Sequence, residues 1–311
     1  MTIYKAYEEF MQLKSSHCVD KTLTVYRDHL QIFLDYAENV RKLPLEETEL
    51  QVIDSAFIRE YVRFLRSRKC FENHPYIPDG QKTIANTTIR SYCRPLKAFL
   101  RYCIREDYLP DVLKNVRFPS PDPSLKLPLY QEEVEQIDGC FDLEELLGLR
   151  NYCMFHLMLD CGLRSGEVIR LRESQIFYEK KLLYIYKSKY NKSRHVPLPD
   201  PLADMLVRYY RKSKGEYFQN RNGSPVTPNT VKMFFQGLKE SSGVMRVYPH
   251  LLRHTFGTSF IVGGGDIEVL RILMGHSDYV TTKMYITLAA EMKVLHADIY
   301  HLDPMFFERG Y

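Results

Sequence analysis

Apolar side chains recur every three or four positions through most of the chain, the spacing that places them on one stripe of a helix. Tyr4 to Leu13 is the first such run. Asp20-Lys21-Thr22 opens a second, in which Leu23, Tyr26, Leu30, Phe33 and Leu34 share a stripe. Asp54 is placed to cap a third run carrying Phe57, Ile58, Tyr61, Phe64 and Leu65. A fourth extends from about Thr87 to Glu106, with Ile89, Cys93, Leu96, Leu100 and Cys103 on its apolar side. The pattern then breaks at 118–128, where four prolines in eleven residues remove backbone donors and disfavour helix.

Beyond the break the periodicity is mixed. Helical spacing predicts helices near 131–138, 143–160 and 165–174. Leu182 to Ser188 alternates as a strand does, and Arg194 to Leu198 returns after a short turn, which predicts an antiparallel hairpin. Helical runs resume at about 201–212, 228–241, 250–262, 266–274 and 279–298. The expected fold is mainly α: a helical domain over 1–117, an extended linker over 118–128, and a mixed α+β domain with a small antiparallel sheet over 129–311.

Composition adds little until charge is mapped onto these elements. A chain of 311 residues can bury two cores, and 45% hydrophobic with 26% charged residues is ordinary globular usage. The net charge of +4 is mild. Its distribution is not, because residues 59–105 hold eleven Lys/Arg against three Asp/Glu. On the fourth helix Arg90, Arg94, Lys97, Arg101 and Arg105 follow steps of four, three, four and four, which keeps them on one face. Like charges so spaced repel by a few tenths of a kcal/mol per pair, and a phosphate backbone would reverse the sign. A solvated basic face is the alternative.

Seven cysteines form no CxxC pair and read as reduced thiols. Cys153, His156 and Cys161 lack a fourth ligand nearby, so no metal is expected there. MTIYKAYEEF has no cationic stretch leading into an apolar run, and no segment reaches the ~18 uninterrupted apolar residues of a membrane span. A soluble, cytoplasmic protein is expected.

Three segments carry candidate chemistry. In Cys161-Gly-Leu-Arg164-Ser-Gly-Glu167, Gly162 permits a sharp turn, Arg164 starts a helix, and Glu167 is placed one turn on to orient the guanidinium. In Pro249-His250-Leu-Leu-Arg253-His254-Thr255, His250 and Arg253 share a helix face. Gly275 is a natural helix C-cap, His276 follows it, and Tyr285 lies nine residues further along a new helix. Breaking a phosphodiester without a metal needs a nucleophile, an acid for the leaving oxygen and fixed cations on the phosphoryl oxygens. Arginine suits the last task, since its planar fork holds two oxygens and keeps its charge.

In order and spacing these segments closely resemble the catalytic signature of the tyrosine recombinases, the phage integrase and Xer class. That family's patterns read approximately TGLRxSEL, HxLRHTFAT and LGHxSxxTTxxYTH, where this chain has CGLRSGEV, HLLRHTFGT and MGHSDYVTTKMYIT. Lys187 to Leu198 also resembles the K-x-N-K-x-R-x-V-P-L hairpin in which the family keeps a catalytic lysine. The resemblance is strong over about 125–288 and weaker over the N-terminal half, which is similar to the family's SAM-like core-binding domain.

The resemblance implies site-specific recombination through a 3′-phosphotyrosyl intermediate, without metal, ATP or other cofactor. Tyr285 would be the nucleophile, Arg164 and Arg253 the phosphate clamp, and His276 a donor to a non-bridging oxygen. Lys189, with Lys192 as rival, would protonate the 5′ oxygen; His250 would assist proton transfer and Glu167 would support Arg164. Arg90, Arg94, Lys97, Arg101, Arg105, Lys192 and Arg194 would contact DNA. Double-stranded DNA with short inverted-repeat core sites, a homo-tetramer exchanging C-terminal segments, and accessory recombination proteins are the implied partners, in a bacterium, phage or mobile element. Leu288, Met292, Leu295 and Ile299 form an apolar stripe there, to be covered by a neighbouring protomer or, as the alternative, by its own domain. Gly257 departs from the family's usual alanine, and Ser165 from a commoner apolar residue. Type IB topoisomerase activity shares the chemistry, and a silent relative would bind DNA alone; these are the alternatives.

Overall fold

The computed structural model of the chain describes residues 1–70, 82–120, 127–186, 193–276 and 279–295. Two compact units divide it, Met1–Ser124 and Leu125–Tyr311.

Among the described residues the first unit holds four α-helices, α1 (Ile3–Ser15), α2 (Asp20–Asp35), α3 (Ser55–Ser67) and α4 (Asn86–Arg105). Asp54 caps α3, its carboxylate accepting the Phe57 N–H at 2.7 Å. Phe10, Phe33, Tyr61, Leu96 and Phe99 lie at the centre of the core. All five apolar-stripe residues predicted for α4 are buried. Pro95 interrupts α4 and leaves the Ser91 carbonyl without its helical donor. His29 on α2 supplies one, donating from Nδ1 at 3.2 Å. The helix therefore runs on through the proline, and its basic stripe stays in register.

The second unit is mixed. Its helices are α5 (Gln131–Asp138), α6 (Leu146–Leu159), α7 (Ser165–Arg170), α8 (Asp200–Ser213), α9 (Pro228–Ser242), α10 (Pro249–Val262), α11 (Ile267–Met274) and α12 (Val280–Leu295). Between α7 and α8 lie β1 (Ile176–Phe177), β2 (Leu182–Ile185) and β3 (Arg194–Pro197), an antiparallel sheet in that order. The hairpin matches the expectation. The third strand was not foreseen, since two residues are too short for an alternating signal. Two helices are shorter than expected. Asp142 accepts the N–H groups of Glu144 and Glu145, an Asx turn that delays α6. After Arg170 the chain turns extended at Leu171, and Gln175 ties the next loop to the Tyr184 carbonyl at 2.7 Å.

α6 is buried nearly all round, with Cys153, Met154, Phe155, Leu157, Met158 and Leu159 inaccessible. His156 sits among them with Nδ1 2.7 Å from Asp160 and Nε2 3.0 Å from Asp138. Both nitrogens face carboxylates, so both carry protons and neither is a metal ligand. Near the start of this unit, Arg246 donates to the Leu127 and Pro128 carbonyls at 2.7 Å. The Leu129 N–H reaches Thr255 on α10 at 2.9 Å. No described helix is long and apolar enough to cross a membrane.

Candidate active site

Local backbone chemistry places each side chain. Gly162 has φ +62°, and a Cβ there would lie 2.4 Å from the Phe256 ring, so the turn after α6 requires glycine. The turn sets Arg164 at the N-cap of α7 with Glu167 one turn inside. Asp266 caps α11 through the N–H groups of Glu268 and Val269. At the far end Gly275, at φ +60°, closes α11 as the His276 N–H returns to the Arg271 carbonyl.

The last carbonyls of α11 are the centre of the arrangement. Arg194 donates through Nε to Leu273 at 2.6 Å, Arg253 to Met274, Arg164 to Gly275 at 3.0 Å, and Arg271 to His276 at 3.1 Å. Leu273 and Met274 close α11, so the carbonyls at this end carry the negative end of the helix dipole. Their partial charge offsets the mutual repulsion of the arginines. Arg253 reaches across to the Gly162 carbonyl as well.

Glu167 is the carboxylate within this group. Arg194 grips it twice, at 2.9 and 2.8 Å, while Arg164 donates its backbone N–H at 2.8 Å and a guanidinium N–H at 3.2 Å. Burial opposes its charge, but the Arg194 hydrogen bonds and charge, then those of Arg164, outweigh it and hold the carboxyl at about 2. Burial, and then the like charge of Arg164, press Arg253 down to about 9, which leaves it a cation at neutral pH.

Tyr285 lies beside these cations at 2% exposure. Its ring is parallel to that of His276, 6.3 Å away, and 5.3 Å from that of His254. His276 Nδ1 is hydrogen-bonded to the buried Thr282 hydroxyl at 2.9 Å. Burial raises the pKa of the phenol, while Arg253 and Arg164 draw it back.

The fold thus brings Arg164, Glu167, Arg253, His276 and Tyr285 together. His250 is exposed in the first turn of α10. Lys189 and Lys192 lie outside the described residues. Arg194, expected to contact DNA, is 7% exposed, with its guanidinium hydrogen-bonded to Glu167 and Leu273. In the first unit Arg90, Arg94 and Arg101 are exposed without an ion pair among the described residues. Lys97 lies 3.9 Å over the Phe118 ring, and Arg105 pairs with Glu106 at 3.0 Å. Two features escaped the sequence reading. His254 sits nearer the tyrosine ring than His276 does, although no spacing rule connects them. Arg59, Arg63 and Arg66 form a second exposed basic row on α3, and their steps of four and three were a usable signal.

Residues 128–292 match the phage integrase family, and residues 2–116 match the phage integrase SAM-like domain. The chain is 28% identical to tyrosine recombinase XerC of Bacillus licheniformis, over 88% of this chain and 94% of that protein. It is 30% identical to tyrosine recombinase XerD of Pseudomonas aeruginosa, over 68% and 75%. Its fold is similar to the Tn1549 transposon integrase in complex with a circular intermediate DNA, at TM-score 0.74 and 18% identity over 95% of this chain and 99% of that one. A lambda integrase dimer bound to a core site gives TM-score 0.67 at 17% identity, over 92% and 95%.

Proposed function

The chain belongs to the phage integrase family and is a tyrosine recombinase, and we propose that Tyr285 is the nucleophile with which it breaks and rejoins DNA. The observation that carries this is the packing of the Tyr285 ring on His276 and His254, beside Arg253 and Arg164. The phenolic oxygen attacks the phosphorus as the bond to the 5′ oxygen breaks. A 3′-phosphotyrosine and a free 5′ hydroxyl result. Arg164 and Arg253 neutralise the charge that builds on the non-bridging oxygens, exchanging carbonyls of α11 for phosphate oxygens, and His276 donates to one of them. Lys189, or Lys192 in its place, gives the proton to the leaving oxygen, and His250 assists the proton transfer at the phenol. Attack by a partner strand's hydroxyl reverses the step and reseals the backbone with its bond energy conserved.

Arg90, Arg94 and Arg101 on α4, with Arg59, Arg63 and Arg66 on α3, hold the phosphate backbone of a short core site with inverted repeats. The working assembly is a tetramer in the bacterial cytoplasm. Each protomer's segment beyond residue 295 docks on its neighbour, a heterologous contact that closes into a ring. Val269 and Ile272, one turn apart on α11 and 46% and 52% exposed, offer an apolar landing surface.

The test uses nicked duplexes tiled across the DNA that flanks the gene. In excess chelator the protein should become covalently attached to one of them, and Tyr285→Phe should bind that duplex equally and attach to none. A Tyr285→Phe protein that still forms the adduct would show that another residue is the nucleophile.

A further inference from the structure

Arg194 holds the phosphate clamp without being part of it. Strand parity turns it inward: β3 alternates, and Arg194 and Val196 share its buried face. Its three guanidinium nitrogens each donate once, to two acceptors. Two grip the Glu167 carboxylate side by side, at 2.9 and 2.8 Å, and the third meets the Leu273 carbonyl at 2.6 Å.

Both acceptors lead directly to the clamp. Glu167 receives the Arg164 backbone N–H at 2.8 Å and its guanidinium at 3.2 Å, the latter longer than either bond to Arg194. The carboxylate's position is therefore set by Arg194 together with the Arg164 backbone N–H, and the Arg164 guanidinium takes its orientation from the carboxylate. Leu273 begins the run of carbonyls against which the two clamp arginines rest, Arg253 at Met274 and Arg164 at Gly275. A planar fork with a separate third donor can satisfy this geometry, and an ammonium cannot.

We propose that Arg194 is a positioning residue for strand cleavage, fixing the Arg164 guanidinium through Glu167 and both clamp arginines through the end of α11, while remaining out of reach of DNA. This inference rests on the reading of Arg164 and Arg253 as the phosphate clamp. A salt bridge that serves only stability would occupy the same place, so the test must read the clamp itself.

Single-turnover covalent capture by the full chain is measured against concentration of the nicked duplex identified above, giving a rate and a half-saturation. A second duplex carries a methyl group in place of one non-bridging oxygen at the scissile phosphate. That removes the negative charge the clamp neutralises. Arg194→Lys should slow capture by about 10- to 100-fold, as a misplaced oxyanion donor does, with half-saturation within about threefold of the unaltered protein. On the methylphosphonate the deficit should shrink to about threefold. Arg164→Ala combined with Arg194→Lys should lose clearly less than the product of the two single losses, because the route through Glu167 is already gone and residues acting as a unit are not additive.

Capture by Arg194→Lys at the unaltered rate would overturn the proposal. So would an equal deficit on both duplexes, which marks a generally loosened protein, or additive losses in the double variant. If Arg164→Ala itself captures normally, the clamp reading fails; if Arg164→Ala is slow and Arg194→Lys is not, only the present inference fails. Thermal melting accompanies each measurement, with Arg194→Gln as a second variant. If both Arg194 variants are unfolded at the assay temperature, the guanidinium belongs to the core and the proposal is wrong.

Discussion

A Cβ at position 257 would lie 2.7 Å from Cε1 and 2.8 Å from Cζ of Tyr285, inside any carbon–carbon contact distance. Gly257 is thus what lets the buried phenol lie flat on the backbone of α10. Alanine in a helix interior ordinarily gains ~1 kcal/mol over glycine. Here overpacking should instead cost about 1–3 kcal/mol. Gly257→Ala should melt lower than the unaltered protein, and the loss should become a gain in a Tyr285→Ala background. Equal gains in both backgrounds would mean the ring does not rest there. The sequence marks Gly257 only as a departure from alanine; the contact itself spans 28 positions and no local rule reports it. The DNA contact expected of Arg194 came from resemblance alone, whereas strand parity aligns it with the apolar Val196 and Leu198, and both are buried. Arg164, Glu167, Arg253, His276 and Tyr285 were legible because their motifs are local even though their meeting point is not.

Among the elements, α6 owes part of its stability to a buried cation. Burial alone would lower the pKa of His156, but the charge and hydrogen bonds of Asp160 and Asp138 raise it to about 9. A raised pKa gives stability that is fully present below the unfolded value of ~6.5 and is lost as pH rises through about 9. The contribution is on the order of 3 kcal/mol at ~1.4 kcal/mol per unit. His156→Asn should therefore be destabilised most at pH 6, and the gap to the unaltered protein should narrow between pH 6.5 and 9, as followed by denaturant unfolding. A gap independent of pH would mean the ring is neutral. On α4 the structure divides what the spacing presented as one row. Replacing Arg90, Arg94 or Arg101 should each lower the slope of log affinity against log salt by about one. Lys97→Ala and Arg105→Ala should change it less, because Phe118 and Glu106 already engage them. Equal changes at all five positions would refute that division. Helix stripes and the hairpin were readable from periodicity. The Asx turn at Asp142 and the two-residue β1 were not, since each depends on contacts too few to leave a repeating pattern.

For the whole molecule, the candidate site lies within the second unit and Tyr285, its proposed nucleophile, is buried, so on that reading DNA binding has to expose it before cleavage. Of the apolar stripe expected in the tail, Leu288 is buried. The side chains of Met292 and Leu295, and residue Ile299, lie outside the described residues. Deleting residues 295–311 should leave single-site binding within a few-fold and abolish cooperative pairing and strand exchange, by gel-shift titration and a recombination assay. Normal recombination by the truncated chain would rule out the exchange of segments between protomers. That exchange and the tetramer came from resemblance, because periodicity shows that a stripe must be covered but not by what. The central claim is tested most directly by digesting the covalent protein–DNA adduct and sequencing the peptide that carries the nucleotide. The account predicts a single modified peptide, with the DNA 3′ phosphate on the Tyr285 oxygen and a free 5′ hydroxyl on the other strand end. A 3′ phosphate on any other tyrosine, or a linkage through the 5′ phosphate, would contradict it.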